Sequence, residues 1–122
     1  MLPIRGIYEI AIRVKDLARA EDFYRNVVGL EVGIRDEERR WLFLKAGGDA
    51  GMVVLQEDKG EWPPLHFAFA IDEADLERSV SLLEGNGVSV EGPVIHEWMG
   101  AKSLYFEDPD GNALELYAPR GK

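Results

Sequence analysis

The 122-residue sequence predicts an α+β fold in which one supersecondary unit, a strand, a helix and then three strands, occurs twice. Three observations predict it. Strand-type alternation precedes a helix-type segment in each half, a glycine stands at the end of each helix segment, and the two halves overlay at nearly constant offsets. Laying "IYEIAIRV" over "LHFAFAI" sets Glu9 on His66, 57 residues apart, and Gly29 then meets Gly87 at 58. The closing strands "GMVVLQED" and "GNALELYAP" overlay at an offset near 61, which puts Val54 opposite Glu115. Such a repeat implies two half-sheets related by a pseudo-twofold axis, with a concave surface shared between them.

The elements follow in order. Residues 7–14 alternate as a strand does, Asp16 is placed to cap a helix running to about residue 28, and Gly29 supplies the stop. Strands are expected at 30–36, 40–46 and 51–56, separated by the charged "DEERR" and the glycine-rich "GGDAG" turns. "DKGEWPP" reads as a linker. The chain is thus expected to form one domain over residues 1–122, with module one at about 5–58, a linker at about 59–64 and module two at about 65–119. The second module starts with a strand at 65–71. Asp72 is placed to cap a helix through about residue 84, and "GNG" ends it. Strands at 88–95, 102–107 and 112–118 complete the unit, the last entered through the "DPDG" turn, where proline presets φ and glycine takes a positive one.

Composition excludes several classes of function. Hydrophobic residues make up 46% and charged residues 30%, as in an ordinary soluble domain. With no cysteine there is no disulfide framework, no thiolate metal site and no cysteine nucleophile. A net charge of −9 argues against a phosphate-backbone partner, so no nucleic acid is expected. No apolar run approaches membrane-spanning length and the first residues hold no signal-type apolar core, which favours a cytoplasmic location without a membrane partner.

The polar residues on the strands carry the functional signal. One face of the first strand reads Ile7, Glu9, Ala11, Arg13; of the fifth, His66, Ala68, Ala70; of the last, Ala113, Glu115, Tyr117. The seventh strand puts Ser103 and Tyr105 on one face and Leu104 and Phe106 on the other. Each of these faces pairs one potential ligand with small neighbours. If the four strands curl around one cavity, its lining holds two carboxylates, an imidazole, a hydroxyl and a phenol, an oxygen and nitrogen donor set without sulfur. Each residue also has a plain reading. Glu115 between two leucines can face water, His66 beside two phenylalanines can be a core or interface histidine, and Glu9 can pair with Arg13 or Lys102.

The stretches "IAIRVKDLARAEDFYRNVVGLEV" and "KSLYFEDPDGNALELYAP" resemble the vicinal oxygen chelate superfamily, also called the glyoxalase, bleomycin-resistance and extradiol-dioxygenase family. The resemblance covers nearly the whole chain and implies paired βαβββ modules forming an open, incomplete barrel around a central cavity with a divalent metal. Family ligands lie on the first and last strands of each module. Carried over by position, they fall on Glu9, Val54, His66 and Glu115, so one of four has no donor and the implied metal set is Glu9, His66 and Glu115. Glu9 departs from the histidine that many members carry there. Three donors on a six-coordinate ion leave places for two adjacent oxygens of a substrate, which is how the family is thought to chelate. The donor set suits Mn, Ni, Zn, Fe or Mg. The two-histidine, one-carboxylate triad of ring-cleaving iron enzymes is not reproduced.

The resemblance implies catalytic roles for Glu115, Tyr105 and His96, and substrate contacts for Ser103 and Tyr105; Arg13 or Lys102 can hold one anionic group of a substrate or form a surface salt bridge. His96 lies in "IHEWMG", where the family often places a lid; it is a general base, a substrate contact or a plain surface histidine. Trp41, Trp62 and Trp98 are expected as core or dimer-interface residues. Three functions follow. The first is a metal-dependent lyase, isomerase or group-transfer enzyme acting on a small oxygen-rich substrate such as a hemithioacetal, an epoxide or a 2-substituted carbonyl acid. The second is a metal-free binding protein for a drug or metabolite; the third is a ring-cleaving dioxygenase. No glutathione-, coenzyme-A- or phosphonate-binding signature is evident. Members of this length commonly form homodimers, sometimes exchanging modules.

Overall fold

Alternating apolar residues at Ile10, Ile12 and Val14 give the first strand one inward face, and the charged Asp16 ends it. In the computed structural model, which describes residues 1–48 and 51–120, this strand is β1 (Glu9–Val14). The helix after it starts where expected. Asp16 is extended and its side chain accepts a hydrogen bond from the Arg19 amide at 3.1 Å, capping α1 (Leu17–Asp22). A second carboxylate reaches the same end from far along the chain: the Leu17 amide donates to Glu57 Oε2 at 2.9 Å.

The helix does not remain α to its end. Over α2 (Phe23–Val28) it widens to π-type bonding, the Gly29 amide reaching Tyr24 O at 3.0 Å. The wider turn lets two adjacent aromatics, Phe23 and Tyr24, both face inward, with their rings edge to face at 5.4 Å. Gly29 closes it in the left-handed region at φ 93°, as the sequence predicts. Three strands follow: β2 (Glu31–Asp36), β3 (Trp41–Lys45) and β4 (Met52–Glu57). The β3–β4 connection expected at "GGDAG" includes Asp49 and Ala50, which lie outside the described residues.

The second half repeats the order: β5 (His66–Ala70), a helical segment, β6 (Glu91–His96), β7 (Ala101–Glu107) and β8 (Ala113–Ala118). Its helix corrects one expectation. Asp72 makes no side-chain cap; a 3₁₀ turn, α3 (Glu73–Asp75), comes first, and α4 (Leu76–Gly85) runs from it. The backbone closes that turn itself, Asp75 N donating to Asp72 O at 2.9 Å, so this amide is satisfied without the Asp72 side chain. β6 also starts three residues later than expected, at Glu91, and its pairing with β7 shifts between Glu91 and Val94. Gly92 sits in that bulge at φ 112°, with Ser103 O close against it.

The chain separates into two compact units, Met1–Trp62 and Pro63–Lys122, each holding one four-stranded mixed sheet. Strand order is β1-β4-β3-β2 in the first and β5-β8-β7-β6 in the second, with β1 parallel to β4 and β5 parallel to β8. The register reproduces the sequence repeat: Ala11 stands beside Val54 in the first sheet and Ala68 beside Glu115 in the second. In the first unit Ile12, Val14, Leu42, Leu44, Val53 and Leu55 are buried, as are Leu17, Ala20 and Phe23 of its helix. In the second, Leu76 packs with Leu104 and Ala118, joined by Ile71, Val80, Val90 and Leu116. Fully buried leucines of this kind each contribute about 1.5–3 kcal/mol.

Candidate functional site

Strand alternation sends Leu114 and Leu116 to opposite neighbours from Glu115, and Glu115 is nonetheless 91% buried, at 9% relative exposure. A carboxylate there needs partners, and two adjacent strands supply them. From β5, His66 Nε2 lies 3.0 Å from Glu115 Oε1; from β7, the Ser103 hydroxyl donates to Glu115 Oε2 at 2.5 Å. Ser103 is fully buried, so this short charge-assisted bond is shielded from water. His66 is the open member, with its side chain 55% exposed.

The cluster continues along β6 and β7. His96 Nε2 lies 3.1 Å from Ser103 Oγ and 3.2 Å from Tyr105 OH. Tyr105 stands directly across from Glu115 in the β7–β8 register, and its ring centre is 6.3 Å from that of His66. Five of the residues singled out from the sequence, His66, His96, Ser103, Tyr105 and Glu115, therefore meet in one connected group on the second sheet.

Of the other three, Lys102 lies in the same unit and Arg13 and Glu9 in the first. Lys102 projects to the opposite face of β7 from Ser103 and pairs with Glu73 at 3.1 Å. Arg13 and Glu9 are exposed on the first unit, where Arg13 is held by Asp58 at 2.9 Å and not by Glu9. Among the described residues, no three His, Asp or Glu side chains converge as a preformed metal cage. Trp98, expected in the core or at a dimer interface, is 84% exposed on the turn that follows His96 and so is not in the core of this chain.

The remaining pair fits a divalent cation on its own geometry. Two neighbouring ligands of an octahedral ion with bonds of about 2.1 Å stand about 3 Å apart, and His66 Nε2 and Glu115 Oε1 are 3.0 Å apart. Ser103 on the other carboxylate oxygen is the kind of partner that orients a ligating carboxylate. Sequence reasoning missed one charged centre. The carboxyl of Glu57 is held far below its ordinary 4.5, at about 2, first by the Arg40 guanidinium at 3.1 and 3.2 Å and next by the Leu17 amide. It ties β4 to the start of α1 and serves the fold.

The two βαβββ units and a His–Glu pair on adjacent strands define a glyoxalase-type fold with a candidate metal-binding edge. The chain belongs to the Glyoxalase/Bleomycin resistance protein/Dioxygenase superfamily, whose family model matches residues 6–116. It is 30% identical over 120 residues to the metallothiol transferase FosB of Staphylococcus haemolyticus, covering 93% of this chain and 84% of that protein. Among solved structures it is similar to the integron cassette protein HFX_CASS4 from the mobile metagenome of the Halifax Harbour sewage outfall, at 50% identity and a TM-score of 0.90, covering 94% of this chain and 99% of that one. It is also similar to TnmS3, an antibiotic-binding protein from Streptomyces sp. CB03234, at 28% identity and a TM-score of 0.83, covering 98% and 99%.

Proposed function

We propose that the protein is a divalent-metal-dependent enzyme of the group-transfer, lyase or isomerase type, acting on a small oxygen-rich substrate. The observation that carries this is the 3.0 Å His66–Glu115 pair, set at the spacing of two adjacent metal ligands and backed by a buried serine. His66 and Glu115 would hold the ion, and the bound ion would supply Lewis-acid polarisation of a substrate oxygen. The likeness to a metallothiol transferase favours group transfer among the three reaction types.

Each protein group has a task in this scheme. Ser103, fully buried with its proton engaged by Glu115, orients the carboxylate and does not itself reach substrate. Tyr105, partly exposed beside His66, presents a phenol to a ligand oxygen. With Glu115 ionised and accepting, the hydrogen between the pair is that of His66 Nε2, and a metal bound at Nε2 would leave the ring's hydrogen on Nδ1. A homodimer belongs to the same proposal, tested by sedimentation.

Elemental analysis of the purified protein, followed by Mn²⁺, Ni²⁺ and Zn²⁺ calorimetry on wild type, Glu115→Gln and His66→Ala, tests the assignment. Stoichiometric metal lost in both folded variants is the expected result. Absence of metal and of heat in the wild type would instead favour a second reading, a metal-free binding protein for a drug or metabolite. The observation on that side is the likeness to TnmS3, together with the open, two-donor state of the pair.

A further inference from the structure

The hydrogen count around Ser103 fixes more than the distances alone do. Its hydroxyl has one proton and two lone pairs, and an ionised Glu115 only accepts. The proton therefore goes to Glu115 Oε2 at 2.5 Å, and Ser103 Oγ can offer His96 only a lone pair. The hydrogen in the His96–Ser103 contact must then come from His96 Nε2. The same hydrogen is shared toward Tyr105 OH at 3.2 Å, which leaves the phenol hydrogen of Tyr105 uncommitted.

We propose that His96 is a positioning residue: its Nε2–H holds the Ser103 hydroxyl turned toward Glu115 and so fixes the carboxylate that faces His66. Because Nε2 is the nitrogen in use as a donor, it is not a base toward substrate in this arrangement. Neutral or protonated, the imidazole donates from Nε2, so the role does not depend on its charge. His96 reaches Ser103 diagonally across the β6–β7 ladder, since Ser103 stands opposite Val94 and His96 opposite Ala101. This contact therefore depends on the register set by the Gly92 bulge. The role of His96 is independent of the metal reading, while its effect on metal affinity rests on that reading.

The decisive experiment begins with the metal-free wild type. Long-range ¹H–¹⁵N correlation spectra of the two imidazole rings report which nitrogen of His96 carries hydrogen. The expected result is a protonated Nε2. The reverse network, with Glu115 protonated and every donor turned round, places the hydrogen on Nδ1, and that outcome overturns the proposal.

Variants separate positioning from simple packing. Glutamine places an amide N–H near the Nε2 position, whereas asparagine places it near Nδ1. His96→Gln should keep the wild-type ring shifts of His66, and His96→Asn and His96→Ala should change them. Equal His66 spectra in all three variants would refute the role. If Mn²⁺ binds the wild type, its affinity should fall about fivefold in His96→Ala, the size of one neutral hydrogen bond, and be restored in His96→Gln. That loss should vanish in a Ser103→Ala background. If Mn²⁺ does not bind the wild type, the metal assignment fails and the ring spectra alone decide the role of His96.

Discussion

Replacing Ser103 with alanine removes one oxygen from a fully buried place and leaves Glu115 Oε2 without its donor. Hydrogen bonds to a charged group contribute about 1.5–3 kcal/mol, and this one is short and enclosed, so the loss should be near 2 kcal/mol. His96 loses an acceptor as well, but it is only partly buried and water can replace that contact. For a chain of 122 residues, roughly 4 °C of melting temperature accompanies each kcal/mol, giving a drop of about 8 °C. Urea titration at pH 7 is the assay, with the slope expected to stay at its wild-type value. The same substitution made on Glu115→Val should cost under about 1 kcal/mol, because no carboxylate remains to be stranded. Equal losses in the two backgrounds, or a loss below about 0.5 kcal/mol in the first, would refute the picture of Ser103 as the support of an ionised Glu115.

The other expected effects concern the frame around this cluster and its ligand. Glu57, at about 2 when folded against 4.5 when unfolded, contributes stability that is fully present above pH 4.5 and is lost as pH falls toward 2. Its partner Arg40 is half exposed, so solvent screening brings the contribution down to about 1–2 kcal/mol; Glu57→Gln should destabilise by that amount at pH 7 in urea titration, and the gap should close between pH 4.5 and 2. Gly92→Ala should cost about 3 kcal/mol or more by thermal unfolding, since its Cβ would lie 2.7 Å from Ser103 O and 2.8 Å from Val94 N at a positive φ. Zn²⁺ uptake at pH 7 should move the His66 hydrogen from Nε2 to Nδ1, seen as a change in the ¹⁵N shifts of its ring, and unchanged shifts in the presence of bound metal would count against His66 as a ligand.

The division of labour between the two modules explains what was legible in the sequence. Both first strands carry the same alternation, and both last strands overlay at one offset, so the repeat could be read and its register followed: Val54 and Glu115 occupy matching places beside Ala11 and Ala68. The faces of Ser103, Tyr105 and Glu115 were legible for the same reason. Their connections were not. Alternation says which way Ser103 points but not that it is fully buried, and the link from His96 depends on a bulge and a turn that set a diagonal contact. Lys102, next to Ser103 in sequence, lies on the other side of the sheet one residue away, where Glu73 meets it, a pairing that strand alternation alone does not name. The Glu57 centre joins residues 40 and 17 positions apart, a distance that no local pattern encodes.

The matching positions also differ in a way that locates the chemistry. Across from Val54 stands Phe43, and across from Glu115 stands Tyr105. The first sheet thus fills with apolar side chains the places where the second carries a carboxylate and a phenol, and Val54 is buried at 1% exposure without a polar partner to find. A buried carboxylate with its serine and histidine supports is costlier to keep than the valine solution that the same fold already uses. Stability alone would favour the apolar version in both modules. That the second module retains Glu115, and surrounds it with groups that orient it toward an exposed imidazole, is the physical reason to look for ligand chemistry there and not on the equivalent face of the first.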